Sequence, residues 1–326
     1  MRLRLTRREA LATGLAAVAG VAAPALARAA APTTQIGGPA YGTWWSLTLP
    51  AKGDALALRP VIEQVLARID RLMSPWRPDS TITLFNAARS TDWQRVGSET
   101  ATVARATLAL REASAGAFDP AVGPLVSRWG FGPISGEKPS SDTGFAVGDD
   151  ALCKHHPGLT LDLCGIAKGY ALDQMGRVLR DRGEEDFVID LGGEIAAMGW
   201  HPDGRSWHVA IEDPREGRSG AVEMLRLSGN AIATSGDRTN GFTVGTRRYS
   251  HIIDPVTAEP VEGSTASVSV LADDAMTADG WATALMAAGA DGPARARNQG
   301  LDALFFIRDG ESLRRVPVGR FDDHLA

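Results

Sequence analysis

The chain has 326 residues, 44% hydrophobic and 22% charged, with a formal net charge of −5, which suffices for one large domain or two closely joined halves around a sizeable core. An acidic balance excludes a general nucleic-acid binder, which relies on basic surfaces. Thirty-six glycines and eighteen prolines describe many turns and close backbone approaches rather than a helical bundle.

Thr6-Arg7-Arg8-Glu9-Ala10-Leu11 stands ahead of an Ala-rich apolar run from Ala12 to Ala27, with A-x-A sites at Ala25-Leu26-Ala27 and Ala27-Arg28-Ala29. A basic start, a short apolar stretch and a small-residue cleavage site describe a bacterial export signal over residues 1–30. The paired arginines point to the twin-arginine route, with Ala10 where a bulky residue is usual. The run is too short and too rich in Ala and Gly to span a bilayer stably. The expectation is therefore a periplasmic protein, soluble after cleavage, with residues 31–326 as its domain. Cleavage removes five arginines and one glutamate, a net +4, and takes the charge from −5 to about −9. Cys153 and Cys164 are the two cysteines; an oxidising compartment permits a disulfide between them, and neither has zinc-ligand company.

Along the mature chain, 42–49 reads as a strand around Trp45, Leu47 and Leu49. Val61, Ile62, Val65, Leu66, Ile69 and Leu72 recur at helical spacing, predicting an amphipathic helix over 58–73. A proline-rich loop over 74–79 follows, then a short helix capped by Ser80 and running toward Asn86. Helices are expected over 101–114, 167–182 with Gly183 as its stop, and 274–288. Strands are expected at 159–163, 187–191, 207–211, 222–227, 249–253, 266–271 and 303–307. Strands arrive in runs rather than alternating with helices, so the fold class is α+β with largely antiparallel sheet flanked by helices. There is no dinucleotide fingerprint and no P-loop.

Four segments carry chemistry. In Asp279-Gly280-Trp281-Ala282-Thr283 the acid and the hydroxyl are i and i+4 on one helix face, hard oxygens suited to Mg²⁺. Leu161 to Tyr170 runs from strand through a Gly-containing turn into a helix start, with Lys168 beside exposed amides, a setting for an anion. His251, in Tyr249-Ser250-His251-Ile252-Ile253-Asp254-Pro255, has the chemistry of a base or of a hydrogen-bond donor to a phosphate. Thr234-Ser235-Gly236-Asp237 reads as a hydroxyl-rich turn. Taken singly, each has an ordinary structural explanation.

Together and in order they resemble the FAD:protein FMN transferase, or ApbE-like, family from about Tyr41 to Gly289. The landmarks are Met73-Ser74 with Trp76, Ser80 and Asn86; Phe118-Asp119-Pro120-Ala121-Val122-Gly123-Pro124-Leu125 with Trp129-Gly130-Phe131-Gly132; and Asp162 through Gly169-Tyr170. Asp190-Leu191-Gly192-Gly193, Ile211-Glu212-Asp213-Pro214, Thr234-Ser235-Gly236, His251 to Pro255 and Ala278-Asp279 with Ala282-Thr283 complete the set. The resemblance implies an ApbE-like, T-fold-like architecture. It implies Mg²⁺ held by Asp279 and Thr283, helped by the backbone carbonyls of Gly165 and Ala282. It implies FAD contacts from Tyr41, Trp76, Ala117, Phe118, Asp119, Asp162, Lys168 and Ile253, with His251 and Asp279 in catalysis.

The activity so implied is transfer of FMN from FAD to a Ser or Thr hydroxyl of an exported or membrane-bound acceptor redox protein. FAD hydrolysis to FMN and AMP, and FAD binding without catalysis, are the alternatives; Asn86 matches a position implicated in the choice between transfer and hydrolysis. The chain departs from the family pattern at Cys164, where glycine is usual, at Ala258 in Thr257-Ala258-Glu259-Pro260, and at Trp281, where a small residue is usual.

Overall fold

The computed structural model describes residues 32–51, 54–136, 144–238, 241–244 and 247–326; the expected export signal over 1–30 lies outside them. Strands β1 (Thr33–Ala40) and β2 (Thr43–Pro50) form a hairpin in which Ala40 pairs with Thr43. Its two central residues, Tyr41 and Gly42, have φ of 51° and 74°, as the type I′ turn matching strand twist requires. β3 (Phe187–Leu191), β4 (Glu194–Met198), β5 (Asn230–Gly236), β6 (Thr265–Ala272), β7 (Asp302–Asp309) and β8 (Ser312–Val318) then add in chain order, every pair antiparallel, to give one eight-stranded sheet. The α+β, largely antiparallel expectation is met.

The long connection from β2 to β3 carries α1 (Arg59–Met73), α2 (Thr81–Ala87), α3 (Ser98–Ala113), α4 (Gly123–Arg128) and α5 (Cys164–Arg180). α6 (Ala275–Ala287) and α7 (Gly292–Asn298) lie between β6 and β7. The period-3.6 set of α1 buries Ile62, Val65, Leu66 and Ile69 against Leu47, Ile189 and the α5 residues Leu172, Met175 and Leu179. α6 packs Ala278, Ala282 and Leu285 on Ala233, Val268, Val270 and Phe305. The other face of the same strands, through Ile232, Leu304 and Phe306, takes Trp207, Val209, Leu225 and Leu227 of a separate hairpin. β6 is thus buried on both faces from Thr265 to Leu271, with the small Ser267 and Ser269 buried among Ala266, Val268 and Val270. Among the described residues no helix is long and apolar enough to cross a membrane.

Several expectations change. Leu159–Leu163 is not a strand: the Asn86 side chain donates to the Leu161 carbonyl (2.8 Å) and accepts from its amide (2.7 Å), so an amide side chain satisfies the backbone that a neighbouring strand would have paired. Thr234–Gly236 is not a turn but the end of β5, pairing with β6. The strand expected over 249–253 is broken at His251-Ile252, between the strands Arg247–Ser250 and Ile253–Asp254. Ala258 sits at φ 58° in the turn joining Ile253–Asp254 to Glu259–Pro260, the left-handed conformation glycine adopts freely. Cys153 and Cys164 are free thiols.

Candidate active site

The site begins where α5 and α6 touch. The amides opening α6 are taken by two carboxylates: Asp274 accepts from the Thr277 amide (2.8 Å), and Asp173 of α5 accepts from Ala275 (2.8 Å) and Met276 (3.0 Å). Carboxylates at a helix N-terminus satisfy orphan donors and suit the dipole. Gly169 lies so close that a Cβ there would stand 2.2 Å from the Ala275 carbonyl oxygen. One turn into α6, Asp279 is 3% exposed and its Oδ2 accepts from the Gly169 amide at 2.9 Å. In a regular helix that amide serves the carbonyl of Gly165, so the Asp279 carboxylate and the Gly165 carbonyl are neighbours. Among the described residues nothing donates to Asp279 Oδ1.

Thr283, one further turn along, closes the group. A Cβ on Gly165 would meet Thr283 Cγ2 at 2.9 Å, Thr283 Oγ1 at 3.2 Å and the Phe118 ring at 3.2 Å. Thr283 Oγ1 is 3.4 Å from Ser235 Oγ on β5, and Ala282 is fully buried beside them. Asp162 accepts from the Cys164 amide (2.9 Å) at the start of α5, and its own amide donates to the Pro120 carbonyl (2.7 Å). That bond brings the segment of Ala117, Phe118 and Asp119 to the mouth of α5. Asp119 is buried and accepts from the Ala121 amide, with Arg111 Nε 3.8 Å away.

Lys168, in the second turn of α5, reaches Glu194 at the head of β4: Nζ to Oε1 is 2.5 Å. Glu194 is 3% exposed, and its Oε2 is buried with no hydrogen-bond partner. Its place at the start of β4 follows from the Gly192-Gly193 turn, both residues at positive φ. Asp162, Asp173, Asp190, Glu194 and Asp279 are all held above the usual carboxylate range, each chiefly by burial. Burial alone would lower Lys168, but the carboxylates of Glu194 and Asp279 hold it above its ordinary value.

The structure thus gathers Asp279, Thr283, Gly165, Ala282, Lys168, Asp162 and Phe118. His251 and Ile253 lie on an adjoining segment. The His251 ring stands edge-on to Phe131, 6.4 Å between centroids, Ile253 is buried, and Ile252 packs in the cluster of Ala278 and Ala282. Tyr41 and Trp76 are placed differently. The Tyr41 hydroxyl donates to the Leu66 carbonyl of α1 at 2.9 Å, and Trp76 is 67% exposed in the loop after α1. Among the described residues no hydrogen bond or ring contact joins either to Asp279. Trp281 is half-buried between two core clusters.

Sequence reading missed Glu194 and Asp173. The first had a signal, a carboxylate directly after a Gly-Gly turn; the second had none, since an Asp in mid-helix is ordinarily solvated.

A divalent cation fits the donors present. The site has the carboxylate of a buried aspartate, a threonine hydroxyl, and a glycine whose missing Cβ leaves room beside that hydroxyl, the hard-oxygen set Mg²⁺ prefers. Among the described residues no group of three His, Cys, Asp or Glu side chains is placed to hold a metal ion, so backbone carbonyls, water or ligand oxygens would complete such a site.

Asp173 gives a pH test of how α6 is anchored. Its folded pKa of about 6 lies above its ordinary 3.8, with burial as the main cause. The stability it confers is therefore whole below about pH 4 and is lost as pH rises through about 6. Urea melts are expected to show apo stability falling over that window, with a smaller fall in Asp173→Asn, whose side chain does not ionise; equal slopes would contradict this.

The sequence matches the ApbE family over residues 41–305. It is 34% identical over 308 residues to FAD:protein FMN transferase of Vibrio cholerae, covering 89% of this chain and 92% of that protein. It is 30% identical to the Escherichia coli K12 protein of the same name, covering 100% and 99%. Among solved structures, the flavin transferase ApbE from Vibrio cholerae superposes with TM-score 0.79 at 32% identity, covering 90% of this chain and 99% of that one. The apo flavinyl transferase ApbE of Pseudomonas stutzeri gives TM-score 0.79 at 31% identity, covering 90% and 96%. This chain therefore belongs to the ApbE family.

Proposed function

We propose that this chain transfers FMN from FAD to a Ser or Thr hydroxyl of an acceptor redox protein, using Mg²⁺ and releasing AMP. The observation that carries the reading is the convergence of Asp279, Thr283 and Gly165 beside the Lys168–Glu194 pair, in a chain alike over most of its length to proteins named FAD:protein FMN transferase. Asp279 and Thr283 would hold the cation, with the carbonyls of Gly165 and Ala282. Mg²⁺ bound there supplies positive charge to the pyrophosphate as its P–O bond breaks.

The acceptor oxygen attacks the flavin-side phosphorus and forms the phosphoester. The bond to the adenylyl phosphate breaks, and AMP leaves with its electron pair. Lys168, fixed by Glu194, offsets charge on the phosphates. His251 takes the hydroxyl proton; the packing of its neighbour Ile252 in the cluster of Ala278 and Ala282 supports this role. Asp162, Ala117, Phe118, Asp119 and Ile253 frame the FAD pocket, and Tyr41 and Trp76 approach the ligand's rings from the rim. The Thr6 to Ala29 segment supports export through the twin-arginine route to the periplasm, where acceptors are exported or membrane-bound.

The test uses purified protein with FAD, Mg²⁺ and candidate acceptors from the same source. After denaturing electrophoresis, flavin fluorescence stays with the acceptor if transfer is correct. Free FMN and AMP in equal amounts with a dark acceptor band would make the enzyme a hydrolase. FAD left intact throughout would make it a binder. His251→Ala activity equal to wild type at saturating FAD and acceptor would remove His251 from the proton transfer.

A further inference from the structure

Glu194 is a carboxylate whose two oxygens are treated differently. Oε1 binds the Lys168 ammonium at 2.5 Å, while Oε2 is buried with no donor. A buried carboxylate oxygen without a partner costs free energy, so a pair serving only the fold would be expected to satisfy both oxygens. The pair also lies beside Asp279, whose charge acts on both members. Lys168 immediately precedes Gly169, whose amide holds Asp279, and the Lys168 side chain is 35% exposed against 4% for Glu194. The lysine is therefore the solvent-facing member of the pair, held by the buried glutamate. The rigid β3–β4 turn supports this: the Gly193 amide donates to Asp190 Oδ1 at 2.9 Å, fixing the backbone one residue before Glu194.

We propose that Glu194 is a positioning residue for the cation–pyrophosphate site: Oε1 sets the Lys168 ammonium, and Oε2 accepts a hydrogen bond from a water on the bound cation's shell. This rests on the Mg²⁺–FAD reading of the site. It assigns to Glu194 the orienting task that outer carboxylates perform around metal ligands, and it gives the lysine a defined direction that an unheld four-carbon chain lacks.

The test is a double-mutant cycle on FAD affinity, read by flavin fluorescence, with Mg²⁺ and again with the cation chelated. Wild type, Glu194→Gln, Lys168→Met and the double variant are compared. With Mg²⁺, each single substitution is expected to weaken FAD binding by about 10- to 100-fold, and the double variant by clearly less than the product of the two. Without Mg²⁺ the gap between wild type and Glu194→Gln should shrink.

Wild-type affinity in Glu194→Gln, losses that multiply in the double variant, or a Glu194→Gln loss unchanged by chelation would overturn the proposal. The double variant removes both charges of the pair, so it keeps the cycle readable if one single variant folds poorly, and thermal melts of all four report that directly. A wild-type protein that binds FAD with Mg²⁺ yet modifies no acceptor would defeat the transferase reading and leave this test intact.

Discussion

Asp279→Asn is expected to lower FMN transfer by at least about 10³-fold, some 4 kcal/mol of transition-state stabilisation, while leaving the apo protein no less stable at pH 7. The two halves have one cause. Asp279 is 3% exposed, and burial holds its pKa above the ordinary aspartate value. A carboxyl raised in this way gives up stability as pH climbs through its folded pKa, so a neutral isostere is expected to spare the apo fold. Asparagine has the same shape, retains an oxygen for the Gly169 amide, and carries no charge. It also gives up the anionic ligand. Mg²⁺ with FAD should raise the melting temperature of wild type by ligand linkage and leave that of Asp279→Asn unmoved. A variant that melts several degrees below wild type without ligand, or that keeps the ligand-induced rise, would contradict this account.

The second large effect is expected at Gly169→Ala. In a helix interior this change ordinarily stabilises by about 1 kcal/mol. Here the new Cβ would stand 2.2 Å from the Ala275 oxygen and 2.6 Å from its carbonyl carbon, both backbone atoms that cannot rotate away. α5 and α6 must separate, and overpacking of this kind is expected to cost about 3 kcal/mol. The same separation draws Asp279 off the Gly169 amide, so transfer should fall together with stability. Denaturant titration decides the sign: a gain in stability would mean that the two helices do not touch as described.

What was legible in the sequence was mostly local. α1 followed from the spacing of Ile62, Val65, Leu66 and Ile69, all of which are buried. The i, i+4 relation of Asp279 and Thr283 correctly put both on one helix, and the resemblance assigned them a shared task. The central strand around 266–271 was visible because both its faces are buried.

Long-range pairings were not legible. The Gly169–Asp279 bond joins residues 110 apart, and Asp173 reaches α6 across a hundred positions; no window of sequence carries either. Leu159–Leu163 has the composition of a strand, yet its backbone is satisfied by Asn86, a partner 75 residues away. β1 was missed because Gly37, Gly38 and Pro39 argue against a strand, and it is tolerated as an edge strand paired only with β2. The bond from the Tyr41 hydroxyl to the Leu66 carbonyl of α1 is likewise a contact that spacing does not reveal.

The most direct test of the central claim is peptide mass spectrometry of an acceptor protein after incubation with the purified enzyme, FAD and Mg²⁺. A mass gain equal to FMN less one water is expected on a single Ser or Thr, with one AMP released per modification, and neither with Asp279→Asn. An unmodified acceptor accompanied by equal free FMN and AMP would contradict it.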